Sequence, residues 1–282
     1  MNIGIVLPLP AYYINPALIA ETAENLGFDS LWVGEHPFIP LNSQSIFPGS
    51  PSGEIPESYS HFVDPFIALS MAASVTKRIK LATGICLITE RNPLLLAKEV
   101  STLDQFSKGR FIFGIGTGWL REEAELMGCD FDHRWTQAKE EIDILKKLWS
   151  SPQASHSGTY YAFPEVISYP KPFQRPHPPI MIGGTAPNAL KRVAKWADGW
   201  LPNRVTPEDL KIKRKKLNTL TEQLGRDPTK LSITIHGQPA DKDLIASYEK
   251  AGADRVTIRP RAVKTDKEIR TELENLARLT LN

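Results

Sequence analysis

Short runs of apolar, often β-branched residues alternate along this chain with longer stretches in which apolar residues recur at helical spacing. The short runs predict eight strands, over residues 3–7, 30–34, 79–83, 110–115, 179–182, 199–201, 231–235 and 255–258. Each is followed by a predicted helix, over residues 15–27, 64–74, 94–106, 136–149, 188–196, 207–224, 241–251 and 266–279. Eight such units favour an α/β fold, a single (β/α)8 TIM barrel over residues 1–282, rather than an open doubly wound sheet.

A weak repeat marks the joints between helices and strands. The segments GFDSLW (27–32), ADGW (197–200) and GADRV (252–256) each follow a helix and precede a strand. Glycine or alanine ends the helix there, and we expect the aspartate to satisfy turn amides. Convergent turn chemistry would give the same pattern, so the repeat locates joints without proving duplication.

Two insertions interrupt the alternation of strands and helices: residues 35–62 after strand 2 and residues 151–178 after strand 4. Loops of this length are usually lids, binding loops or disordered segments. Because we expect both to leave from the same end of the barrel, we interpret both as lid segments; a linker is the alternative.

Composition narrows the class of protein. Hydrophobic residues make up 41% and charged residues 23%, with a net charge of +2, so we expect a water-soluble protein without a nucleic-acid or membrane partner. The basic run at 211–216 fits a solvated helix face. We see no targeting segment and two cysteines without metal spacing, which favours a cytoplasmic protein without disulfides. The histidines form no metal-ligand pattern, so no metal is expected.

Polar, glycine and aromatic residues gather where the predicted strands end. Barrel enzymes place their sites at this rim, so the asymmetry indicates an enzyme or a cofactor-binding protein. The positions are Pro8, Glu35, His36, Gly84, Gly116 to Trp119, Gly183 to Thr185, Asn203, His236 and Arg259.

Two glycine-rich turns at this rim are candidate cofactor contacts. Gly183, Gly184 and Thr185 would let backbone amides approach a phosphate, or form only a tight turn. The turn from Gly116 to Trp119 would admit a flat ring against an aromatic wall, or carry a core tryptophan. It lacks the last glycine of a dinucleotide fingerprint.

His36 is the candidate for proton transfer to or from a bound ring, although a lone histidine is often structural. Cys86 fits packing, and Asp130, Asp132 and His133 fit a helix cap. An aldolase or isomerase would need a barrel lysine or paired carboxylates at strand ends, and the sequence offers neither.

Taken together, the motifs resemble the luciferase-like monooxygenase family. The resemblance rests on residues 27–36, 79–119, 175–184 and 197–202, which agree in order and spacing over most of the chain. It implies a barrel with insertions, commonly dimeric, that binds FMN or coenzyme F420.

The resemblance also implies roles for particular residues. His36 should lie against the cofactor ring and act as the catalytic residue, with Glu35 and Trp119 in the substrate pocket. The family's sugar-phosphate dehydrogenases carry a glutamate where this chain has Trp119, so that activity is not expected. The cofactor contacts implied are the third-strand bulge, a polar pair near the cofactor tail, the ring turn and the phosphate turn: Thr83, Gly84, Ile85, Arg91, Asn92, Gly116, Gly183, Gly184 and Thr185.

The leading hypothesis is hydride transfer between coenzyme F420 and a small organic substrate. The alternative is a monooxygenase in which FMN, reduced by a separate flavin reductase, reacts with O2. A third reading is a non-catalytic flavin-binding protein on the same barrel.

Overall fold

The computed structural model describes residues 1–281 and contains a closed barrel of eight parallel strands, which confirms the predicted TIM barrel. In chain order the strands are β1 (Asn2–Val6), β2 (Ser30–Val33), β3 (Lys80–Thr83), β4 (Cys86–Leu87), β5 (Phe111–Gly116), β6 (Ala154–Ser157), β7 (Ala162–Val166), β8 (Ile180–Gly183), β9 (Gly199–Leu201), β10 (Ser232–Gln238) and β11 (Arg255–Ile258). The ring runs β1, β2, β3, β5, β8, β9, β10 and β11, and β11 pairs with β1. The short β4 continues the interrupted third strand and also pairs with β5.

Helices connect the strands as predicted, with one addition. They are α1 (Pro16–Leu26), α2 (Pro65–Val75), α3 (Pro93–Phe106), α4 (Arg121–Leu126), α5 (Arg134–Ser150), α6 (Ala189–Trp196), α7 (Pro207–Gln223), α8 (Lys242–Lys250) and α9 (Asp266–Thr280). Short 3-10 turns cover Glu57–His61, Ile88–Glu90 and Pro228–Lys230. The sequence did not indicate α4, because six residues are too few for a helical period.

Four helices begin with the same chemistry, a capping side chain followed by proline. The cap accepts an amide that the first turn leaves free, and proline fits the first helical position because it needs no donor there. The pairs are Asn15–Pro16, Asp64–Pro65, Asn92–Pro93 and Thr206–Pro207.

The aspartates of the repeated joints act between strands. Asp198 accepts the amide of Ile180 at 2.9 Å, and Asp254 accepts the amide of Ile233 at 2.7 Å, each at the start of the preceding strand. Asp29 instead pairs with Arg255 at 2.6 Å. The expectation that they satisfy amides of their own turns was therefore wrong. The repeat fastens neighbouring strands at the amino-terminal end of the barrel.

Two apolar layers fill the fold, because alternate strand residues point inward and outward. Outward residues pack beneath the helices and form the large core. The inner layer is a separate small cluster: Val6, Trp32, Ala82, Ile112, Met181 and Leu201, with Ile85 packed against it.

The second insertion starts at the opposite end of the barrel from the first, so the expectation that both leave from the same end was wrong. Residues 151–178 follow the end of α5, so they start at the amino-terminal end of the barrel. Their hairpin of β6 and β7 runs back along α5, where Glu140 accepts the amides of Tyr160 and Tyr161. Further on, Gln174 binds Asp104 of α3 at 2.7 Å. A connection from helix to strand begins at the end opposite to the strand ends, which is why the sequence-based expectation failed.

Candidate active site

His36 lies three residues beyond β2 and is held by a buried carboxylate. Its Nδ1 is 2.7 Å from Oε2 of Glu123, a residue of α4 whose side chain is fully buried. Within residues 1–281 the other ring nitrogen, Nε2, has no hydrogen-bond partner. The imidazole is therefore oriented by the protein on one side and left available for a ligand on the other.

Aromatic rings enclose this imidazole. Tyr59, Phe62 and Trp119 have ring centroids 5.3, 5.5 and 5.7 Å from that of His36. Phe47 packs on both Tyr59 and Trp119, at 4.8 and 5.2 Å. Phe47, Tyr59 and Phe62 come from the first insertion, residues 35–62, so this segment covers His36.

A single side chain of α4 fastens the covering segment. Glu122 accepts the amides of Gln44 and Ser45 at 2.6 and 3.1 Å and the hydroxyl of Ser45 at 2.7 Å. Burial acts to raise the pKa of Glu122, but these hydrogen bonds outweigh it and hold the pKa below its usual value. Two consecutive residues of α4 therefore bind the covering segment and the imidazole: Glu122 the first and Glu123 the second.

A second buried acid lies beside this pair. Glu90 is 3% exposed, and within residues 1–281 neither of its carboxyl oxygens has a hydrogen-bond partner. Burial first, and then the negative charges of Glu123 and Glu35, raise the pKa of Glu90 to about 9. Glu90 is consequently protonated at neutral pH.

The polar rim residues Glu35, Arg91 and Asn92 form hydrogen bonds and ion pairs with other groups of the protein. The guanidinium of Arg91 donates to Glu35, to Asp64 at 2.6 Å and to Glu99 at 3.2 Å. Glu35 also accepts the amide of Leu87 at 2.8 Å. These ion pairs tie the end of β2 to the start of α3 and direct Glu35 toward Arg91. Separately, the side chain of Asn92 caps α3.

The third strand breaks at Gly84 and Ile85, which are joined by a cis peptide bond. The side chain of Ile85 lies between two glycines of neighbouring strands. A Cβ on Gly116 would stand 2.1 Å from its Cδ1, and one on Gly183 would stand 3.0 Å from its Cγ2. Ile85 is only partly buried, so this bulge presents an apolar platform at the rim.

The turn after β8 is open. Gly184 has a φ of +90°, and a Cβ there would meet nothing within 4 Å. Its carbonyl accepts the indole N–H of Trp200 at 2.9 Å, which attaches the turn to the neighbouring strand β9. Gly184 and Thr185 are exposed, and α6 begins only at Ala189, so Thr185 is not the helix cap.

A second histidine, His236, packs directly against the bulge. A Cβ on Gly84 would stand 2.8 Å from Cε1 of His236, whose Nδ1 is 3.2 Å from the hydroxyl of Thr257. Desolvation by the barrel wall, helped by the positive charge of Arg259, lowers the pKa of His236 to about 4. The ring is therefore neutral at pH 7. Although His236 stood among the strand-end residues, no motif in the sequence singled it out.

The structure thus gathers His36, Trp119 and the bulge at one rim and adds two acids that sequence reasoning missed. The sequence offered no paired carboxylates at strand ends because Glu90 and Glu123 come from a 3-10 turn and from α4. Glu123 lies four residues after Trp119, in the first turn of α4, and this closeness along the chain is the one signal that could have indicated it. Within residues 1–281 no three potential ligands are grouped for a metal, and no helix is long and apolar enough to cross a bilayer.

Comparison with known proteins gives one family match. A family described as luciferase-like monooxygenase matches residues 15–257. An uncharacterised protein of Mycobacterium tuberculosis is 34% identical over 261 residues, covering 91% of this chain and 90% of its own.

Two more distant relatives have named activities. An FMNH2-dependent dimethylsulfone monooxygenase of Pseudomonas putida is 32% identical over 141 residues, covering 49% of this chain and 39% of its own. An F420-dependent glucose-6-phosphate dehydrogenase of Amycolatopsis mediterranei is 28% identical over 186 residues, covering 64% and 51%.

Solved structures share the fold over the whole chain. A monooxygenase of Streptomyces bottropensis superposes with a TM-score of 0.79 at 19% identity, covering 100% of this chain and 99% of its own. An F420-dependent tetrahydromethanopterin reductase of Methanopyrus kandleri superposes with a TM-score of 0.77 at 18% identity, covering 99% and 98%.

Proposed function

Because the chain belongs to the luciferase-like monooxygenase family, we propose that it is an oxidoreductase that uses coenzyme F420 to exchange a hydride with a small organic substrate. The observation that carries this proposal is the arrangement of His36. Its Nδ1 is bound by a buried carboxylate, its Nε2 is free, and aromatic rings shield it. This is the placement that proton exchange with a bound substrate requires.

The residues at the rim fit a tricyclic ring with a phosphate-bearing tail. The apolar platform of Ile85 would receive one face of the ring, and the open turn of Gly183 to Thr185 would place the phosphate beside the backbone amide of Thr185. The amide of Gly184 donates to the carbonyl of Leu201 at 3.3 Å, which holds the turn in place. Gly116 fits because it leaves space for Ile85 to form the platform. When bound, the deazaflavin supplies a two-electron hydride donor or acceptor.

The chain's own residues would supply orientation, proton transfer and exclusion of water. His36 would exchange a proton with the substrate oxygen through Nε2. Phe47, Tyr59 and Trp119 would keep solvent from the reacting atoms, which strengthens the electrostatic interactions inside. Arg91 and Asn92 would support the rim through their contacts with α3, and Glu35 would do so through Arg91.

An FMN-dependent monooxygenase is the second candidate. The observation that favours it is the likeness to the Pseudomonas putida enzyme, whose name specifies reduced FMN. In that case a separate flavin reductase would be a partner. A non-catalytic flavin-binding protein would have no use for an imidazole oriented by a buried acid, so we rank it third.

Titration of the purified apoprotein with coenzyme F420 and with FMN, followed by ligand fluorescence, tests the proposal. We expect F420 to bind at least tenfold more tightly than FMN, equivalent to about 1.4 kcal/mol. Tighter binding of FMN or of its reduced form would overturn the F420 proposal in favour of the monooxygenase. Failure of both to bind would refute both.

We further propose that the protein forms a homodimer through α2 and α3. Ile67, Met71 and Val75 make one exposed stripe along α2, and Leu95 and Phe106 of the adjacent α3 are 59% and 80% exposed. An apolar surface of this kind usually marks an interaction site.

Sedimentation equilibrium should show a dimer that Ile67→Glu dissociates. The matched control is Leu224→Glu, at an exposed apolar residue beside the end of α7, which should leave the dimer intact. A wild-type monomer would refute the proposal.

A further inference from the structure

Glu123 is an unusual carboxyl group for a structural residue. It is fully buried, yet only Oε2 has a hydrogen-bond partner, the Nδ1 of His36, and Oε1 has none within residues 1–281. Burying a carboxylate is costly unless its oxygens are paired, and a group retained for stability would normally satisfy both. The contact that distinguishes Glu123 is the one to His36.

We propose that Glu123 is a positioning residue that keeps a proton on Nδ1 of His36 and thereby presents the lone pair of Nε2 to the substrate. The proposal rests on the function proposed above for its chemistry, but the tautomer it assigns is a property of the apoprotein.

The tautomer of His36 follows from the donors and acceptors that an imidazole and a carboxylate offer. A neutral imidazole has one N–H donor and one acceptor nitrogen, and an ionised carboxylate can only accept. If Glu123 accepts this hydrogen bond, Nδ1 carries the proton and Nε2 is left as the acceptor. A free imidazole in water favours the opposite tautomer, with the proton on Nε2, so the contact reverses an intrinsic preference.

This tautomer allows a balanced reaction in either direction. A substrate hydroxyl would give its proton to Nε2 while its carbon gives a hydride, with two electrons, to the bound deazaflavin. The substrate then leaves as a carbonyl compound, and the imidazolium is stabilised by Glu123. In reverse, Nε2–H donates the proton to the carbonyl oxygen as the carbon receives the hydride.

The neighbouring acids do not compete for this role. Glu35 is bound by Arg91 and the amide of Leu87, so its oxygens are directed away from the imidazole. Glu90 is not hydrogen-bonded to His36 or to any other described residue. Of these three carboxyl groups, only Glu123 reaches the ring.

The helix that carries Glu123, α4, is held in place by contacts of its neighbouring residues Glu122 and Arg121. Glu122 holds the covering segment through Ser45, and Arg121 pairs with Asp132 at 2.5 Å, next to the start of α5. These contacts attach α4 to the covering segment and to the residues that lead into α5. A short helix so held can place one carboxylate with the accuracy that an oriented imidazole needs.

The first test is nitrogen NMR of the apoprotein with labelled histidine, with His36 assigned by its loss in His36→Gln. At a pH where the ring is neutral, we expect the Nδ1–H tautomer of His36 in the wild type. Glu123→Gln should abolish that preference, because its amide can also donate to Nδ1. Glu125→Gln, on an exposed carboxylate of the same helix, is the control and should leave the tautomer unchanged.

A wild-type ring with its proton on Nε2, or an unchanged tautomer in Glu123→Gln, would overturn the proposal. Since this measurement needs no cofactor, its failure is distinct from failure of the proposed function. Circular dichroism on Glu123→Gln checks that the variant is folded. Should it not fold, the wild-type tautomer alone decides the question.

The second test uses the loaded enzyme. Glu123→Gln should lower kcat about 100-fold while KM changes less than threefold, since the pair acts on proton transfer. In a His36→Gln background the same substitution should change kcat by less than twofold. An equal loss in both backgrounds would show that Glu123 acts independently of His36.

Discussion

Replacing Glu90 by glutamine should stabilise the protein increasingly as the pH rises. Glu90 is buried without a hydrogen-bond partner among the described residues, and its pKa is raised from 4.5 to about 9. In the unfolded chain the carboxyl ionises near its ordinary value, whereas in the folded protein it must stay protonated. Between these two values folding takes up a proton, so stability is fully present below pH 4.5 and is lost as the pH rises toward 9.

The expected magnitude follows from the linkage relation. One proton taken up on folding changes the free energy of unfolding by about 1.4 kcal/mol per pH unit. From pH 5 to pH 8 the wild type should therefore lose about 4 kcal/mol relative to Glu90→Gln, which does not titrate. Other carboxyl groups with a raised pKa, such as Glu141 at about 8, are present in both proteins. Their contributions to the pH dependence of stability therefore cancel in the difference.

Urea unfolding followed by circular dichroism at half-unit steps of pH measures this difference directly. Glu125→Gln serves as the matched control, because the same substitution is made there on a half-exposed carboxylate that pairs with Arg121 at the surface. A difference between wild type and Glu90→Gln that stays constant from pH 5 to pH 8 would refute the reasoning. It would mean that Glu90 is ionised in the folded state.

Three further substitutions test other parts of the structure. His36→Ala should lower turnover about 100-fold or more while cofactor affinity stays within tenfold; unchanged turnover would remove His36 from the mechanism. Gly184→Val should weaken FMN more than riboflavin, because it strains a φ of +90° in the open turn; equal affinity of the wild type for both ligands would show that no phosphate site exists there. Gly114→Ala should destabilise the protein by about 3 kcal/mol in thermal unfolding, since its Cβ would stand 2.1 Å from the carbonyl oxygen of Thr83. The control is Gly128→Ala, which meets nothing within 4 Å and should cost only about 1 kcal/mol for its positive φ; equal losses would contradict the steric argument.

The fold could be predicted from the sequence because the signals for it are local. Each barrel strand is a short apolar run, and four helices begin with a capping residue and proline, as at Asn15 and Pro16. The end of the barrel at which residues 151–178 start was misassigned, although the predicted element order gives it: they lie between a helix and the next strand. Whether a loop lies at the top or the bottom of a barrel depends on where the preceding helix ends, and α5 ends at the bottom.

The site was recovered in part, for a related reason. His36 and Trp119 follow strand ends, where a barrel gathers its functional groups, so their positions follow from the strands. Glu123 is brought to His36 by a six-residue helix, and Glu90 owes its raised pKa to burial and to neighbouring charges. Both properties arise from contacts between distant segments, which no local pattern encodes.

The side chain of Ile85, seated between Gly116 and Gly183, has a consequence for how this sequence can drift over evolution. Neither glycine is free to change alone, because a larger residue at 116 or 183 would need a smaller one at 85. Substitutions there should arise in a fixed order, with the reduction at 85 first and the enlargement of a flanking glycine afterwards. In an alignment of relatives, these three positions should therefore vary together, although two of them lie on strands separated by more than sixty residues.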